Sequence, residues 1–291
     1  MIKAYMFNPG NYGPEELQGK WPTTPSKHIE WSTDPQEIAV WVDSGGGANQ
    51  YNDLLLQYDK INAKHNIMVL VEPIKLCPNN YQFVQDHSDK FDLIFSTYQD
   101  FGDGSDKYNY YRGGLRSYIK PSEFNIYNKS KNICCVMSNR SGTMPGYDVR
   151  HSIRDLVSRN MPTAIDYNNP PLQDKHIGTM DYRYELVIKN EDDKFFSEKI
   201  LDAMLVGCIP IYWTSTVDYL SEAFDMNGIV TFQNEEQFFN ALHAGCFTKE
   251  LYQKNIEAVK YNFEQSKKYI SFGDVLWNHG LGNFIKSRES I

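Results

Sequence analysis

The chain has 291 residues, of which 41% are apolar and 23% charged; this fits a folded protein of about two domains and excludes a disordered one. Twenty-nine Lys and Arg stand against 37 Asp and Glu, giving a net charge of −8 and an isoelectric point near 5.4. General DNA or RNA binding is thereby excluded, because neutralising phosphates needs clustered cations.

Apolar runs rich in Val, Ile and aromatics recur along the chain with helical patterns between them. Strands are expected at 2–7, 37–42, 66–71, 91–97, 132–137, 163–166, 184–188, 209–213 and 228–232. Helices are expected at 51–63, 81–87, 149–159, 196–206, 217–224, 235–243, 249–268 and 272–286. Continuous runs such as Ile67-Met-Val-Leu-Val71 fit strands covered on both faces, as in parallel sheets. Alternation over this length gives an α/β class. The stretch 101–131 breaks the pattern with Gly102, Gly104, Gly113, Gly114, Pro121 and a run of tyrosines. The domain boundary is therefore placed at 125/126, with 1–125 as the N-terminal domain and 126–291 as the C-terminal one, and the last helix is expected to pack back on the first domain. Ligands of such sheets sit at the carboxyl ends of the strands, often in a cleft between domains.

No apolar run reaches the about 18 residues of a membrane span. The opening Met1-Ile-Lys-Ala-Tyr-Met-Phe7 lacks the long apolar core of a secretory leader. The five Cys (77, 134, 135, 208 and 246) are odd in number and contain no C-x-x-C pair, which reads as reduced thiols in a cytoplasmic protein. The seven His are scattered, without H-E-x-x-H, and the acidic groups Asp100, Asp103, Asp106 and Asp192-Asp193 lack calcium-loop spacing. No metal site is expected, and the acidic groups are read as solvated loops. Ser44-Gly-Gly-Gly47 matches neither phosphate-binding glycine pattern and reads as a plain or acceptor-side loop.

The most informative stretch runs from Tyr184 to Trp213 as strand, polar loop, helix, glycine stop and strand. Ile200, Leu201, Met204 and Leu205 form an apolar stripe, Ser197 is placed to cap the helix, and Gly207 stands just past its end. Glu198 suits the positive helix N-terminus; Lys199 does not, unless an anion docks there. The competing reading is a Lys199 that points to water or pairs with a nearby carboxylate.

Tyr182-Arg-Tyr-Glu-Leu-Val-Ile-Lys-Asn190, then Phe196-Ser-Glu-Lys-Ile-Leu-Asp-Ala203 and Gly207-Cys-Ile-Pro-Ile-Tyr-Trp213, resembles the donor-binding signature of family 10 glycosyltransferases, the α-1,3/1,4-fucosyltransferases. The resemblance implies a GT-B fold, two Rossmann-like domains with an interdomain cleft, and inverting, metal-independent transfer of fucose from GDP-fucose to a glycan hydroxyl. Asn190 stands at the family's Asn, Phe195 near its aromatic, and Ser197-Glu198-Lys199 at its Thr-Glu-Lys. By resemblance Glu198 meets the ribose and Lys199 the diphosphate. Lys189 replaces a Glu of the pattern, and Ile188 a Phe. A second patch, Cys134-Cys-Val-Met-Ser138-Asn139 followed by Arg150, resembles the family's strand ending in Ser-Asn and its phosphate-clamping Arg, with Arg140 and Arg154 as alternative clamps. Glu72, at the end of the 66–71 strand, resembles the strand-ending Glu proposed as catalytic base; its other reading is a turn residue before Pro73.

The activity implied by the resemblance is thus sugar transfer from a GDP-sugar, GDP-fucose being the first candidate, with no cofactor, no nucleic-acid partner and a glycan or glycoconjugate acceptor. Ser197-Glu-Lys-Ile-Leu-Asp-Ala203 also resembles exostosin-type transferases, which implies a UDP-sugar, and a non-catalytic glycan- or nucleotide-binding protein on the same scaffold is the remaining alternative.

Overall fold

The computed structural model describes residues 1–7, 24–43, 58–114, 116–137, 142, 144–170 and 172–289. Two compact units emerge: residues 1–115 with 271–291, and residues 116–270. The chain thus changes unit at 115/116, where the sequence reading has 125/126, and its C-terminal end rejoins the first unit. Among the described residues no helix is long and apolar enough to cross a membrane.

The first unit is built on six parallel strands: β1 (Ile2–Phe7), β2 (Ile29–Ser32), β3 (Ile38–Val42), β4 (His65–Leu70), β5 (Leu93–Ser96) and β6 (Tyr108–Tyr110), in the order β2-β1-β3-β4-β5-β6. All five residues of β3 are buried, as a strand covered on both faces requires. Helix α1 (Pro78–Asp86) packs Tyr81 and Val84 into a core with Trp41, Met68, Leu70 and Ile94. Burying each such side chain contributes about 1.5–3 kcal/mol. The indole of Trp41 is not left unsatisfied; its Nε1 donates to Asn66 Oδ1 at 2.9 Å.

The second unit has five parallel strands: β7 (Lys131–Val136), β8 (Asp166–Asn168), β9 (Tyr182–Val187), β10 (Ile209–Trp213) and β11 (Val230–Phe232), in the order β11-β10-β9-β7-β8. Its helices are α2 (Pro145–Asn160), α3 (Glu198–Leu205), α4 (Asp218–Ser221), α5 (Glu235–His243), α6 (Lys249–Lys254) and α7 (Ile256–Ser266). On one face of the sheet Val149, Ile153 and Val157 of α2 meet Ile133, Tyr184, Leu186 and Ile211. On the other, Ile200, Leu201, Met204 and Leu205 of α3 meet Val187, Tyr212 and Leu220. The period-two alternation of β9 thus sends Tyr184 and Leu186 to the α2 side and Val187 to the α3 side. Gly207 ends α3 with φ +77°, and Cys208 N–H donates to Ala203 O at 2.9 Å, the cap expected from the sequence.

The C-terminal residues return to the first unit as α8 (Phe272–Leu276), a π-type turn (Trp277–Leu281) and α9 (Gly282–Glu289). Asp274 Oδ1 accepts from Ser26 Oγ at 2.6 Å and from Lys27 N–H at 2.8 Å, and Trp277 stacks on His28 at 4.7 Å.

Several expected elements change. The 249–268 helix is two helices that meet at Asn255, and 272–286 is broken by the turn at Gly280, whose φ is +138°. Of the 51–63 helix only 58–63 is described; 58–61 is helical, and the helix ends before Asn62, whose φ is +48°. The short edge strands β2 and β6 were not anticipated from the sequence. Ser44-Gly-Gly-Gly47 lies outside the described residues.

Candidate functional site

Both sheets reverse direction of growth between their first and third strands: β1 and β3 in the first unit, β7 and β9 in the second. Chains leaving neighbouring strands on opposite faces open a crevice at their carboxyl ends, where doubly wound sheets take ligands. In the second unit that point is flanked by the loop 188–197 after β9 and by the start of α2.

The loop is held from beneath by Lys189. Its side chain is wholly buried, and Nζ donates to Asp193 O, to Tyr219 OH at 3.0 Å and to Thr214 Oγ1 at 3.4 Å, with Asp192 Oδ1 also 3.4 Å away. Burial pushes the ammonium down to about 8 against the pull of Asp192. Asp192 in turn accepts from Ser215 N–H through both oxygens at 3.0 Å. Asp192 and Asp193 are therefore part of the loop's anchorage rather than a solvated acidic pair. Phe195 is buried, with the Lys189 ammonium 5.6 Å from its ring centroid.

The start of α2 closes on the same loop. Gly146 N–H donates to Asn190 O at 2.9 Å, and a Cβ at Gly146 would lie 1.9 Å from Lys189 O, so only glycine permits this approach. One turn on, Arg150 is buried and its NH2 donates to Asn190 Oδ1 at 2.7 Å and to Ile188 O at 3.0 Å. Arg150 therefore ties α2 to the end of β9, and it fixes the Asn190 amide.

Ser197 caps α3, its hydroxyl accepting from Lys199 N–H at 3.4 Å. Lys199 Nζ lies 3.0 Å from Glu198 Oε1, with 27% of the Lys199 side chain exposed. Burial alone would raise the Glu198 carboxyl, but Lys199, Arg116 and Lys175 outweigh it and hold the group at about 2. One turn along α3, Asp202 is buried and accepts from Ser117 Oγ at 2.6 Å, Lys175 Nζ at 2.7 Å and Tyr118 N–H at 2.9 Å. Beneath them Glu185 of β9 is buried, its Oε2 has no hydrogen-bond partner, and burial pushes its carboxyl up to about 7.

In the first unit Glu72 is partly exposed, two residues beyond β4. Asp43, the residue after β3, is buried and organises this end of the sheet. Its carboxylate accepts from Val71 N–H at 2.5 Å, Asn80 Nδ2 at 2.9 Å and Glu72 N–H at 3.4 Å. Burial pushes Asp43 up to about 7, with the Asn80 and Val71 donors opposing and the Glu72 charge adding to the rise. Tyr81 OH donates to Glu72 O at 3.0 Å.

Of the residues singled out in the sequence, Arg150, Asn190, Phe195, Glu198 and Lys199 gather around the β9–α3 connection of the second unit. Glu72 belongs to the first unit. Ser138 and Asn139 lie outside the described residues. Sequence reasoning missed Asp43, Arg116, Lys175 and Asp202. Asp43 ends an apolar strand run just as Glu72 does, and that signal was available; the other three carry no local pattern, because their partners are distant in sequence.

No protein-family model matches the chain, and no curated protein matches it in sequence. Solved structures do resemble it. An alpha1,3-fucosyltransferase aligns over 94% of this chain and 88% of its own, at 15% identity and a TM-score of 0.56. Anabaena HepE, solved in complex with UDP, aligns over the whole of both chains at 10% identity and a TM-score of 0.59. The pneumococcal O-GlcNAc transferase GtfA, solved with UDP and GlcNAc, covers 87% of this chain and 56% of its own at 12% identity and a TM-score of 0.51. With the two parallel sheets of like strand order, these similarities establish a two-domain, Rossmann-like fold of the GT-B type.

Proposed function

We propose that this protein is an inverting glycosyltransferase that moves a sugar, fucose first among the candidates, from a GDP-sugar to a glycan hydroxyl. The observation that carries this reading is the gathering of Asn190, Arg150, Glu198 and Lys199 at the switch point of the second sheet, around the capped start of α3. The fold likeness to an alpha1,3-fucosyltransferase supports it.

In this mechanism an acceptor hydroxyl attacks the anomeric carbon, its proton passes to Glu72, and the bond to the diphosphate oxygen breaks. Lys199 and the amides at the start of α3 receive the charge that grows on the leaving diphosphate. To do so Lys199 swings from Glu198, which frees the Glu198 carboxylate to accept hydrogen bonds from ribose hydroxyls. At about 2 that carboxyl is ionised throughout the neutral range, as an acceptor of hydroxyl donors must be. Arg150 contributes by holding Asn190 rather than by meeting phosphate directly. No cofactor or metal ion is called for.

A UDP-sugar is the second donor reading, favoured by the likeness to HepE, which was solved with UDP. Calorimetric titration with GDP and UDP separates the two. Lys199→Ala is expected to lose about a hundredfold in turnover with an unchanged far-UV circular dichroism spectrum, the effect of removing one charge-stabilising donor. Near-normal turnover in that variant, or binding of neither nucleotide by the parent protein, overturns the reading.

A further inference from the structure

We propose that Arg116 is a further diphosphate-binding residue of the donor site, and that Asp202 and Lys175 are positioning residues that fasten the segment 116–119 to α3 so as to present it; this rests on the donor-site reading above.

Glu198 and Asp202 are four residues apart on α3 and share one helix face. Every partner given for Asp202 comes from outside the helix: Ser117 and Tyr118 from the first residues of the second unit, and Lys175 from the turn before β9. The segment is fixed internally as well, because Ile119 N–H donates to Ser117 Oγ at 2.9 Å. Arg116 therefore enters against the face of α3 that carries Glu198. It is oriented by its neighbour: NH2 donates to Tyr118 OH at 3.0 Å, and the guanidinium lies 5.1 Å from the Tyr118 ring centroid. Lys175 approaches the same ring at 5.9 Å. Arg116 is partly exposed, and its charge acts on Glu198.

Two physical points argue for a binding role. A buried ion pair such as Lys175–Asp202 gains little net stability, because desolvating both charges offsets their attraction. Its geometry does fix one segment on another, which is what a positioning device requires. An arginine held beside a lysine at a helix N-terminus presents a planar fork of donors that matches two phosphate oxygens, which a second lysine would not.

The test is calorimetric titration of the full chain with GDP and guanosine, and with UDP and uridine. Arg116→Gln is expected to weaken the diphosphate by about tenfold or more while leaving the bare nucleoside unchanged, and Arg116→Lys to restore part of the loss. Asp202→Asn is expected to weaken the diphosphate in the same way, with no further loss when combined with Arg116→Gln, because it acts through Arg116. Should Asp202→Asn fail to fold, the Arg116 pair still decides. Arg116→Gln that binds the diphosphate as tightly as the parent overturns this inference alone; a parent protein that binds neither GDP nor UDP overturns the donor-site reading together with it.

Discussion

Gly146 offers a direct test of how α2 is seated on the end of β9. In Gly146→Ala the new Cβ starts 1.9 Å from Lys189 O and 2.9 Å from Asn190 O. Ordinary contact begins at 3.4 Å, so the first turn of α2 must retreat by about 1.5 Å. Both obstacles are backbone, and Lys189 is anchored by its own side chain, so the strand end cannot give way cheaply. Forced packing of this kind costs about 1–3 kcal/mol. The retreat also stretches the Gly146–Asn190 hydrogen bond and the two bonds made by Arg150, worth about 1 kcal/mol or more together. Alanine's better helix propensity returns about 1 kcal/mol. The net expectation is a loss of roughly 1–3 kcal/mol, read from urea unfolding followed by far-UV circular dichroism. Nucleotide affinity should fall as well, since Asn190 and Arg150 move with the turn. A variant within about 0.5 kcal/mol of the parent, the range of a neutral surface change, would refute the close seating of α2.

Three further expectations concern buried or half-buried carboxylates. Glu198→Gln should lower stability at pH 7 by about 3 kcal/mol, since the group lies at about 2 when folded and 4.5 is its ordinary value; the deficit should shrink below pH 4.5 and vanish near pH 2, in unfolding curves taken across that range. Glu185→Gln should do the opposite. With the folded carboxyl near 7, the parent loses stability as pH rises from 4.5 to 7, so the Gln variant should exceed it at pH 8 by up to roughly 3 kcal/mol and match it below pH 4.5; equality at both pH values would sink the assignment of Glu185 as a buried acid with an unsatisfied oxygen. Asn80→Ala removes a donor from Asp43 and should cost about 1–3 kcal/mol at pH 8, where the carboxylate is charged, and less at pH 5, where it is mostly protonated; a pH-independent loss would refute the role of that bond.

The fold was largely legible because its strands are apolar runs with few competing patterns. β1 and β10 lie where the sequence places them, and the stripe Ile200, Leu201, Met204 and Leu205 proves to be the buried face of α3. β2 was not legible: Ile29-Glu-Trp-Ser32 is short, and only Ile29 and Trp31 are buried. The long helix pattern over 249–268 ran through Asn255, whose break follows from backbone geometry that amphipathic spacing does not record. The site was legible where partners are close in sequence, as in the Ser197 cap and the Glu198–Lys199 pair. It was not legible where partners are distant, as in Ser117 with Asp202 or Asp43 with Asn80.

Lys189 shows how a departure from a motif can be read physically. Its side chain points to the α3 side of the sheet, the same side as Glu185 and Val187, because side chains alternate along a strand. A lysine ammonium has three donors and no acceptor. Here Asp193 O, Tyr219 OH and Thr214 Oγ1 all accept from it, and Asp192 balances its charge. An ammonium so occupied, and wholly buried, sets the shape of the 188–197 loop instead of reaching an anion. Lys199 differs on both counts: it is partly exposed, and its contact with Glu198 joins adjacent residues. Arg116 and Lys175 also act on Glu198, so its carboxylate stays compensated when an arriving diphosphate draws Lys199 away. The change at 189 therefore alters how the loop is held, and it leaves the cation at the start of α3 for the donor proposed above.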